Sequence, residues 1–564
     1  MKRFFALLVT LLFVCFAVAE TIPLRILNHW DNLDGTIERG YAGRSIFFSN
    51  GKVEFDRDLV CRYAQICQQS GINGAVLNNV NASPKMMTRE ILTGVKEIAD
   101  ILRAYNIKVY LAVNFASPQA LGELTTADPL DAGVQQWWKN KADEIYALIP
   151  DFGGFLVKAN SEGQPGPMDF GRTHADGANM LASALKDKGG IVMWRAFVYA
   201  PNSDDRACQA YNEFVPLDGQ FLDNVILQIK NGPIDFQPRE PVSSLFFAMK
   251  KTRLMPEFQL TQEYLGESIH TVYMAPMWQE FFSMMKAHGV RFDAVAGVAN
   301  VGNGKHLCGS YGALLNWTSF GRYMSAVNEV SPQSLAEEFL KKHMSADRRF
   351  VKPMTELLMQ SWEACIQYMM PLGLHHIFAG NHHYGPEPWY SPKGLRADWL
   401  PPYYHKADSK GIGFNRSHSG SGYASQYPEP FASTYDDINL CPENLLLFFH
   451  HVSWDYKMKN GKNLWQNLCG EYDKGVKKAE GFVKVWKKMK PYVAAEIYDE
   501  QLAKFERQAK DAWWWRDACL LYFQTFSQMK LPKSSPKPRH NLDDLMSYKL
   551  HMDNYTAANP DLLP

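Results

Sequence analysis

Eight short apolar runs, each followed by a stretch with helical periodicity, constrain the fold of this chain more strongly than any other feature. Most of the runs lack the strict alternation of apolar and polar residues that marks a half-exposed strand. Strands of this kind are covered on both faces, as they are in a parallel sheet flanked by helices. The predicted strands are residues 24–30, 74–79, 108–115, 154–159, 190–198, 224–230, 255–260 and 294–300.

Alternating strands and helices predict an α/β protein, and eight such units are what a (β/α)8 TIM barrel requires. An open, doubly wound sheet is the alternative. No Gly-x-Gly-x-x-Gly motif follows the first run, so nucleotide binding has no support, and we expect no cofactor. The clearest helical stretches are residues 85–105, 132–148, 174–188, 242–253 and 275–288.

The alternation ends near residue 335, which divides the chain into two predicted domains. Residues 20–335 form the barrel, and residues 336–564 form a mainly α-helical C-terminal domain. Its last helix contains Trp513, Trp514 and Trp515, which cover most of the helix circumference. We expect these rings to be buried in the core or in a subunit contact that forms a homodimer. The predicted helices are residues 334–344, 354–370, 463–489 and 495–528.

A long stretch without periodicity, residues 375–440, interrupts these helices and is rich in His, Tyr, Trp, Gly and Pro. Ordered loops of this length are usually functional, so we predict that it forms a lid or wall of the active site. His382 and His383 within it suggest a metal site. No third ligand follows at a suitable spacing, and structural packing is the preferred interpretation.

Charge balance and the N-terminal residues bear on where the protein acts. Lys plus Arg and Asp plus Glu both number 59, so no charge excess favours nucleic acid or an anionic membrane. Residues 1–19 have a basic start, an apolar body and a small-residue end, which predicts a signal peptide cleaved after Ala19. No later segment has the length and apolarity of a membrane span. We therefore expect an exported protein, periplasmic or extracellular.

Charged residues cluster where the predicted strands end. One run opens behind Gly153 and Gly154, and the loop that follows it is polar and rich in glycine. In parallel α/β proteins, catalytic side chains lie at the carboxyl ends of the strands. Three carboxylates and three cations share this position, namely Glu162, Asp235 and Glu263 with Lys158, Arg195 and Lys230.

These residue types limit the chemistry. Two carboxylates on opposite sides of a pocket can act as general acid and general base on an acetal. Arg and Lys beside them favour a substrate that carries its own negative charge, such as an acidic sugar. The competing interpretation is a metal-dependent barrel enzyme, in which Asp235 and Glu263 hold a divalent cation and Lys158 abstracts a proton. Two carboxylates make a poor metal site, so we predict no metal.

Several of these segments resemble the α-glucuronidases of glycoside hydrolase family 67. The similarity extends from about residue 24 to near the C-terminus, and motifs of this length are far more specific than a three-residue pattern. The matching segments are residues 28–43 (NHWDNLDGTIERGYAG), 157–167 (VKANSEGQPGP), 193–197 (MWRAF), 228–235 (QIKNGPID), 261–264 (TQEY), 382–389 and 403–413.

The resemblance implies removal of α-1,2-linked glucuronic acid, or its 4-O-methyl ether, from the non-reducing-end xylose of glucuronoxylan-derived oligosaccharides. The family inverts configuration, which suits an acid and a base separated by a water molecule. Position by position, Glu162 matches the general acid, and Asp235 and Glu263 match the carboxylates that activate water. A non-catalytic protein that binds acidic xylan is the alternative, and retention of all three carboxylates argues against it.

The resemblance also implies which residues bind the substrate. Lys158, Arg195 and Lys230 match residues that surround the uronate, and Trp30 and Val80 match those that form an apolar sheath around the 4-O-methyl group. Family members usually carry a β-rich domain before the barrel. Here the predicted signal peptide leads almost directly into the first predicted strand, so we expect that domain to be missing.

Overall fold

A closed barrel of eight parallel strands forms the first half of the chain in the computed structural model, which describes residues 21–197, 205–260, 262–378, 380 and 383–547. The barrel strands pair in chain order, and the last strand closes on the first. The predicted (β/α)8 TIM barrel is confirmed. The strands are β1 Leu24–His29, β2 Gly74–Val76, β3 Lys108–Ala112, β4 Gly154–Val157, β5 Ile191–Arg195, β6 Val225–Lys230, β7 Arg253–Gln259 and β8 Ala294–Ala299.

Each barrel strand is followed by a helix that covers its outer face. The first begins where the Asp56 carboxylate accepts hydrogen bonds from two backbone N–H groups, and it ends at Gly71 in the left-handed conformation. The helices are α1 Arg57–Ser70, α2 Arg89–Arg103, α3 Ala132–Leu148, α4 His174–Lys186, α5 Arg206–Phe214, α6 Leu245–Ala248, α7 Ala275–Ala287 and α8 Tyr311–Met324.

The predicted helix over residues 242–253 is wrong for most of its length. Only the single turn α6 is helical, and Arg253 already belongs to β7. The Asp218 carboxylate accepts hydrogen bonds from the backbone N–H groups of Lys250, Lys251 and Thr252. These groups are therefore unavailable to a helix, and the segment becomes a tight connection into β7.

The glycine that begins β4 is required for steric reasons. Gly154 has a φ of +134°, and a Cβ placed there would lie 1.9 Å from the carbonyl oxygen of Ile191 on β5. Only glycine fits such a close approach of two strands. This packing sets the position of β4 in the barrel and hence of the charged residues that follow it.

The C-terminal half is mainly helical, as predicted, and its long helices pack against one another. Gly475 of one helix permits a close crossing, because a Cβ there would lie 2.4 Å from the backbone nitrogen of Tyr368 on another. Trp513, Trp514 and Trp515 are all buried within the chain. The long helices are α9 Pro332–His343, α10 Arg348–Met369, α11 Leu464–Lys487 and α12 Ala495–Ser527.

Residues 375–440 lie between α10 and α11 and contain short helices rather than one open loop. The single turns Pro401–His405 and Phe431–Asp436 are examples. The segment is tied to the barrel by the buried ion pair of Arg416 with Asp205, at 2.7 Å. It therefore packs on the barrel instead of extending into solvent.

The cysteines and the possible membrane spans complete the description of the fold. All eight cysteines from Cys61 to Cys519 are free, and seven of them are buried, as expected of small apolar residues. Within the described ranges, no helix combines the length and the apolar character that crossing a bilayer requires. The predicted signal peptide, residues 1–19, lies outside the described residues.

Candidate active site

Three buried cations lie at the carboxyl ends of adjacent strands. Arg195 and Lys230 are the last residues of β5 and β6, and Lys158 directly follows β4. The parallel register between these strands brings them to the same end of the barrel. Each is less than a tenth exposed, so each requires a compensating charge.

That charge comes from protein carboxylates. Lys158 Nζ donates to Glu162 and also to Asn81 Oδ1 at 2.8 Å. Lys230 Nζ donates to Asp235. The sequence suggested that these cations await a substrate anion, whereas the structure pairs them before any substrate binds.

Arg195 is paired with a carboxylate that sequence reasoning missed. Its guanidinium donates two hydrogen bonds to Glu257, at 3.1 and 2.9 Å, and both side chains are buried. Burial alone would lower the pKa of Arg195, but Glu257 outweighs it and raises that pKa. Glu257 is a charged residue between the apolar residues Pro256 and Phe258 in the interior of β7, and this was the only signal in the sequence.

Asp235 lies in the loop after β6, where several donors meet its carboxylate. Besides Lys230, the Tyr264 hydroxyl donates to Oδ2 at 2.7 Å, and the Arg206 guanidinium lies 3.6 Å away. Burial would raise the pKa of Asp235, but Lys230 and Arg206 hold it well below its usual range. This carboxylate is therefore ionised at neutral pH.

The backbone around Asp235 is held by Glu240. Its carboxylate accepts hydrogen bonds from the backbone N–H groups of Ile234, Asp235 and Gln237, at 2.6, 2.8 and 3.1 Å. The Gln237 side chain in turn donates to the Asp235 carbonyl oxygen at 3.1 Å. The loop is thus fixed by side-chain contacts in place of regular secondary structure.

Glu263 lies in the loop after β7 and is surrounded by donors at short range. Arg39 Nε and His383 Nδ1 both donate to its Oε1 at 2.6 Å, and Gln259 Nε2 donates to Oε2 at 2.6 Å. Burial would raise the pKa of Glu263, but Arg39 and His383 lower it to about 2. His383 therefore belongs to the site, which corrects the prediction that it serves only in packing.

Glu162 is more exposed than the other carboxylates and reaches the mouth of a cavity of about 320 Å³. Residues of the 375–440 segment line the same cavity. Burial would raise the pKa of Glu162, but Lys158 and Lys230 lower it below its usual value. The lining residues are Glu38, Arg39, Asn81, Glu162, His376, Phe378, Gly380, His383, Tyr390, Leu395 and Trp399.

Trp30 and Val80 lie just beyond β1 and β2 and are both buried. Val80 packs in the apolar cluster inside the barrel, together with Tyr110 and Met193. Trp30 joins the larger apolar core, and its carbonyl oxygen accepts the backbone N–H of Glu38 at 3.0 Å. Neither residue lines the cavity that contains Glu162.

One face of α12 holds the loop that follows Glu263. Asp511 accepts hydrogen bonds from His270 Nε2 at 2.7 Å and from the hydroxyl of Tyr384, the neighbour of His383. Further along the same face, Gln508 accepts the backbone N–H of Thr271 at 3.1 Å. The C-terminal domain therefore supports both the loop of Glu263 and the segment that carries His383.

The metal-dependent alternative fits this arrangement poorly. Asp235 and Glu263 are both engaged by cationic side chains, and Lys158 is bound to Glu162. Among the described residues, no group of three or more His, Cys, Asp or Glu is placed to hold a metal ion. The donor set is that of an ion-pair network.

Comparisons with known proteins identify the family of this chain. The family model "Glycosyl hydrolase family 67 middle domain" matches residues 14–318, and "Glycosyl hydrolase family 67 C-terminus" matches residues 308–536. "Probable alpha-glucuronidase A" of Aspergillus fumigatus is 40% identical over 538 residues, which cover 91% of this chain and 63% of that protein.

Two further relatives are similar to this chain. "Alpha-glucuronidase A" of Emericella nidulans is 40% identical over 573 residues, covering 96% of this chain and 66% of that protein. "Alpha-glucuronidase" of Hypocrea jecorina is 37% identical over 573 residues, covering 96% of this chain and 67% of that protein. The chain thus spans about two thirds of the length of these relatives, and slightly less of the first.

Proposed function

The chain belongs to glycoside hydrolase family 67, and on that premise we propose that it is an α-glucuronidase. Its proposed reaction removes α-1,2-linked glucuronic acid, or the 4-O-methyl ether, from the non-reducing-end xylose of xylo-oligosaccharides. The names of its relatives support the α-glucuronidase activity. The linkage and the xylo-oligosaccharide substrate follow from the resemblance of the site motifs.

One observation carries this proposal. Two carboxylates, Asp235 and Glu263, are kept ionised by Lys230 and Arg39 at the mouth of the barrel. A third carboxylate, Glu162, reaches the adjacent cavity from β4. A pair of ionised carboxylates with a separate, more exposed one is the composition required for base-activated attack of water and acid-assisted departure of a sugar.

In the proposed mechanism, Glu162 donates a proton to the glycosidic oxygen as the bond to the anomeric carbon breaks. Asp235 and Glu263 orient a water molecule and take its proton as the new bond forms on the opposite face. Lys158, Arg195 and Lys230 bind the uronate by charge-assisted hydrogen bonds. The resemblance assigns Trp30 and Val80 to the apolar surface around the 4-O-methyl group, although neither residue lines the cavity that contains Glu162.

Attack from the face opposite the leaving xylose inverts the anomeric centre. The product should therefore appear first as β-glucuronic acid. We would follow hydrolysis of a defined glucuronoxylo-oligosaccharide by time-resolved proton NMR, before mutarotation mixes the anomers. Initial release of the α-anomer would require a carboxylate nucleophile and would overturn the water-activating role of Asp235 and Glu263.

The same assay separates the other candidate functions. A non-catalytic binding protein would bind the oligosaccharide without releasing a uronic acid. A metal-dependent enzyme would lose activity after treatment with a chelator, whereas the proposed mechanism retains it. The predicted signal peptide over residues 1–19 supports export, so we further propose that the enzyme acts in the periplasm or outside the cell.

A further inference from the structure

The site pairs its cationic side chains with carboxylates of the same chain before any substrate binds. The titratable side chains that face Glu162 or its neighbours come from the loop after β1 and from the ends of β4 to β7. The cations are Arg39, Lys158, Arg195, Arg206 and Lys230, and the carboxyl groups are those of Glu38, Glu162, Asp235, Glu240, Glu257 and Glu263.

Of the two histidines near the cavity, His376 is neutral and His383 is engaged with Glu263. Burial and the nearby Arg206 lower the pKa of His376 well below its usual value, so it is neutral. His383 donates to Glu263 on the far side of the network. A bound uronate therefore brings a negative charge that the existing cations, all committed to protein carboxylates, do not offset.

Glu162 is the carboxylate with the fewest partners and the most direct access to protons from solvent when that charge arrives. Its side chain is 39% exposed, against 15% for Asp235, 6% for Glu263 and 1% for Glu257. Among the ion pairs above, Glu162 pairs with Lys158 alone, whereas Asp235 and Glu263 each receive three donors. A uronate that drew Lys158 toward itself would weaken the larger of the two cationic effects that keep Glu162 ionised, and Lys230 alone would then oppose burial and the added negative charge.

We propose that binding of the substrate uronate triggers protonation of Glu162, so that the general acid carries its proton only when an acidic sugar is bound. This inference rests on the proposed function. In the free protein, Lys158 holds Glu162 as an ionised partner. In the complex, Lys158 turns to the uronate, and Glu162 takes a proton from solvent.

The proton balance over one turnover is closed. Glu162 gives the acquired proton to the glycosidic oxygen as the bond from that oxygen to the anomeric carbon breaks. Water forms the new bond to the anomeric carbon, and its proton passes to the Asp235 and Glu263 pair. When the uronate leaves, that proton returns to solvent, and Glu162 pairs again with Lys158.

The arrangement lets the enzyme select acidic sugars by the rate of the chemical step as well as by binding affinity. A neutral α-glucoside of the same shape leaves the Lys158–Glu162 pair intact, so the leaving xylose receives no proton. Discrimination should therefore appear in kcat as well as in KM.

Proton uptake can be measured directly by calorimetry, without turnover. D-Glucuronate would be titrated into the protein at pH 7 in buffers of different ionisation enthalpy, because the dependence of the observed heat on that enthalpy counts the protons bound. We expect an uptake of about one proton per site in the wild-type protein. Because the complex binds more protons than the free protein, the affinity should fall by up to about tenfold per unit rise in pH between the lower pKa of free Glu162 and the higher pKa of bound Glu162.

Two matched variants identify the group that takes the proton. Glu162→Gln should bind glucuronate with an uptake near zero, whereas Glu38→Gln, a second carboxylate of the same cavity, should keep the wild-type uptake. Wild-type binding without uptake, or equal uptake by Glu162→Gln, would overturn the trigger while leaving the proposed function intact. Failure of the wild-type protein to bind glucuronate would contradict the proposed function itself.

Discussion

At the scale of single residues, the main finding is that the cations of the site are paired in the free protein. Lys158, Arg195 and Lys230 each bind a carboxylate of their own chain. A buried ion pair of this kind is costly to break and sets the geometry of both partners. Under the proposed function, substrate recognition proceeds by exchange of partners, which makes the protein carboxylates part of specificity.

Replacement of Glu162 tests its proposed role as the general acid. Glu162→Gln should reduce turnover of natural xylosides by about 10²–10⁴-fold, since their leaving group requires a proton. Glycosides with an activated leaving group should be cleaved at nearly the normal rate, because their departure needs no acid. Steady-state kinetics with both substrate types provide the measurement, and normal turnover of natural substrate by this variant would refute the assignment.

Loss of the partner of Arg195 should be visible in stability. Glu257→Gln leaves the Arg195 guanidinium buried without a compensating charge, which costs up to about 3–5 kcal/mol. We expect a lower melting temperature for the free variant, and a larger rise on adding glucuronate than the wild-type protein shows. Differential scanning fluorimetry with and without glucuronate gives both values. An unchanged ligand-induced rise would mean that Arg195 does not meet the uronate.

At the scale of elements, the site depends on contacts that regular secondary structure does not supply. Glu240 fixes the loop of Asp235 through three backbone hydrogen bonds. The loop of Glu263 is fixed by α12, where burial would raise the pKa of Asp511 but His270 lowers it below its usual range. The catalytic loops are therefore as well determined as the strands that precede them.

The link from α12 to the site predicts a remote effect on catalysis. Tyr384→Phe removes the hydroxyl that binds Asp511 and should loosen the neighbouring His383, whose contact lowers the pKa of Glu263. We expect kcat to fall by about tenfold, with the acid limb of the pH–rate profile moved to higher pH.

A matched control distinguishes this effect from general destabilisation. Tyr273 is equally buried, and its hydroxyl donates to the Pro332 carbonyl oxygen at 2.8 Å, away from His383. Tyr273→Phe should lower stability to a similar extent and leave the pH–rate profile in place. Identical profiles for both variants would show that the Asp511 contact is structural only.

At the scale of the whole molecule, the barrel and the C-terminal half are joined through buried charges. Arg416 and Asp205 form one such pair. Asp511 on α12 forms another with His270 of the barrel. Contacts of this kind lose their favourable energy when one partner changes its charge. The ionisation of the site is thereby coupled to the stability of the fold.

This coupling predicts how stability depends on pH. The pKa of Glu263 is about 2 in the folded protein, below the usual value of 4.5. A depressed carboxyl pKa stabilises the fold above the unfolded pKa, and that contribution is lost as pH falls from about 4.5 towards 2. For Glu263 the contribution is about 3 kcal/mol.

Urea unfolding at several pH values measures this dependence. The free energy of unfolding should decrease from pH 6 to pH 3, and the decrease should be smaller in Glu263→Gln because one of the titrating groups is gone. A variant with the same slope as the wild-type protein would contradict the depressed pKa of Glu263.

The barrel and the charged residues at its strand ends could be predicted from the sequence. Apolar runs without alternation require cover on both faces, and eight of them with helices between leave few alternatives. Lys158, Arg195 and Lys230 were found because the carboxyl ends of parallel strands meet at one end of a barrel. The strands and their charged ends follow from the local pattern of residues, which a single sequence displays.

Which charged side chains pair with each other depends on tertiary packing. Arg195 and Glu257 are 62 residues apart, His383 and Glu263 are 120 apart, and His270 and Asp511 are 241 apart. No periodicity encodes such distances, because each pairing follows from how strands, loops and α12 pack in space. The pKa values follow the same contacts, since burial and neighbouring charges set them. The local sequence therefore supplied the chemical groups, and tertiary packing determined their partners and charge states.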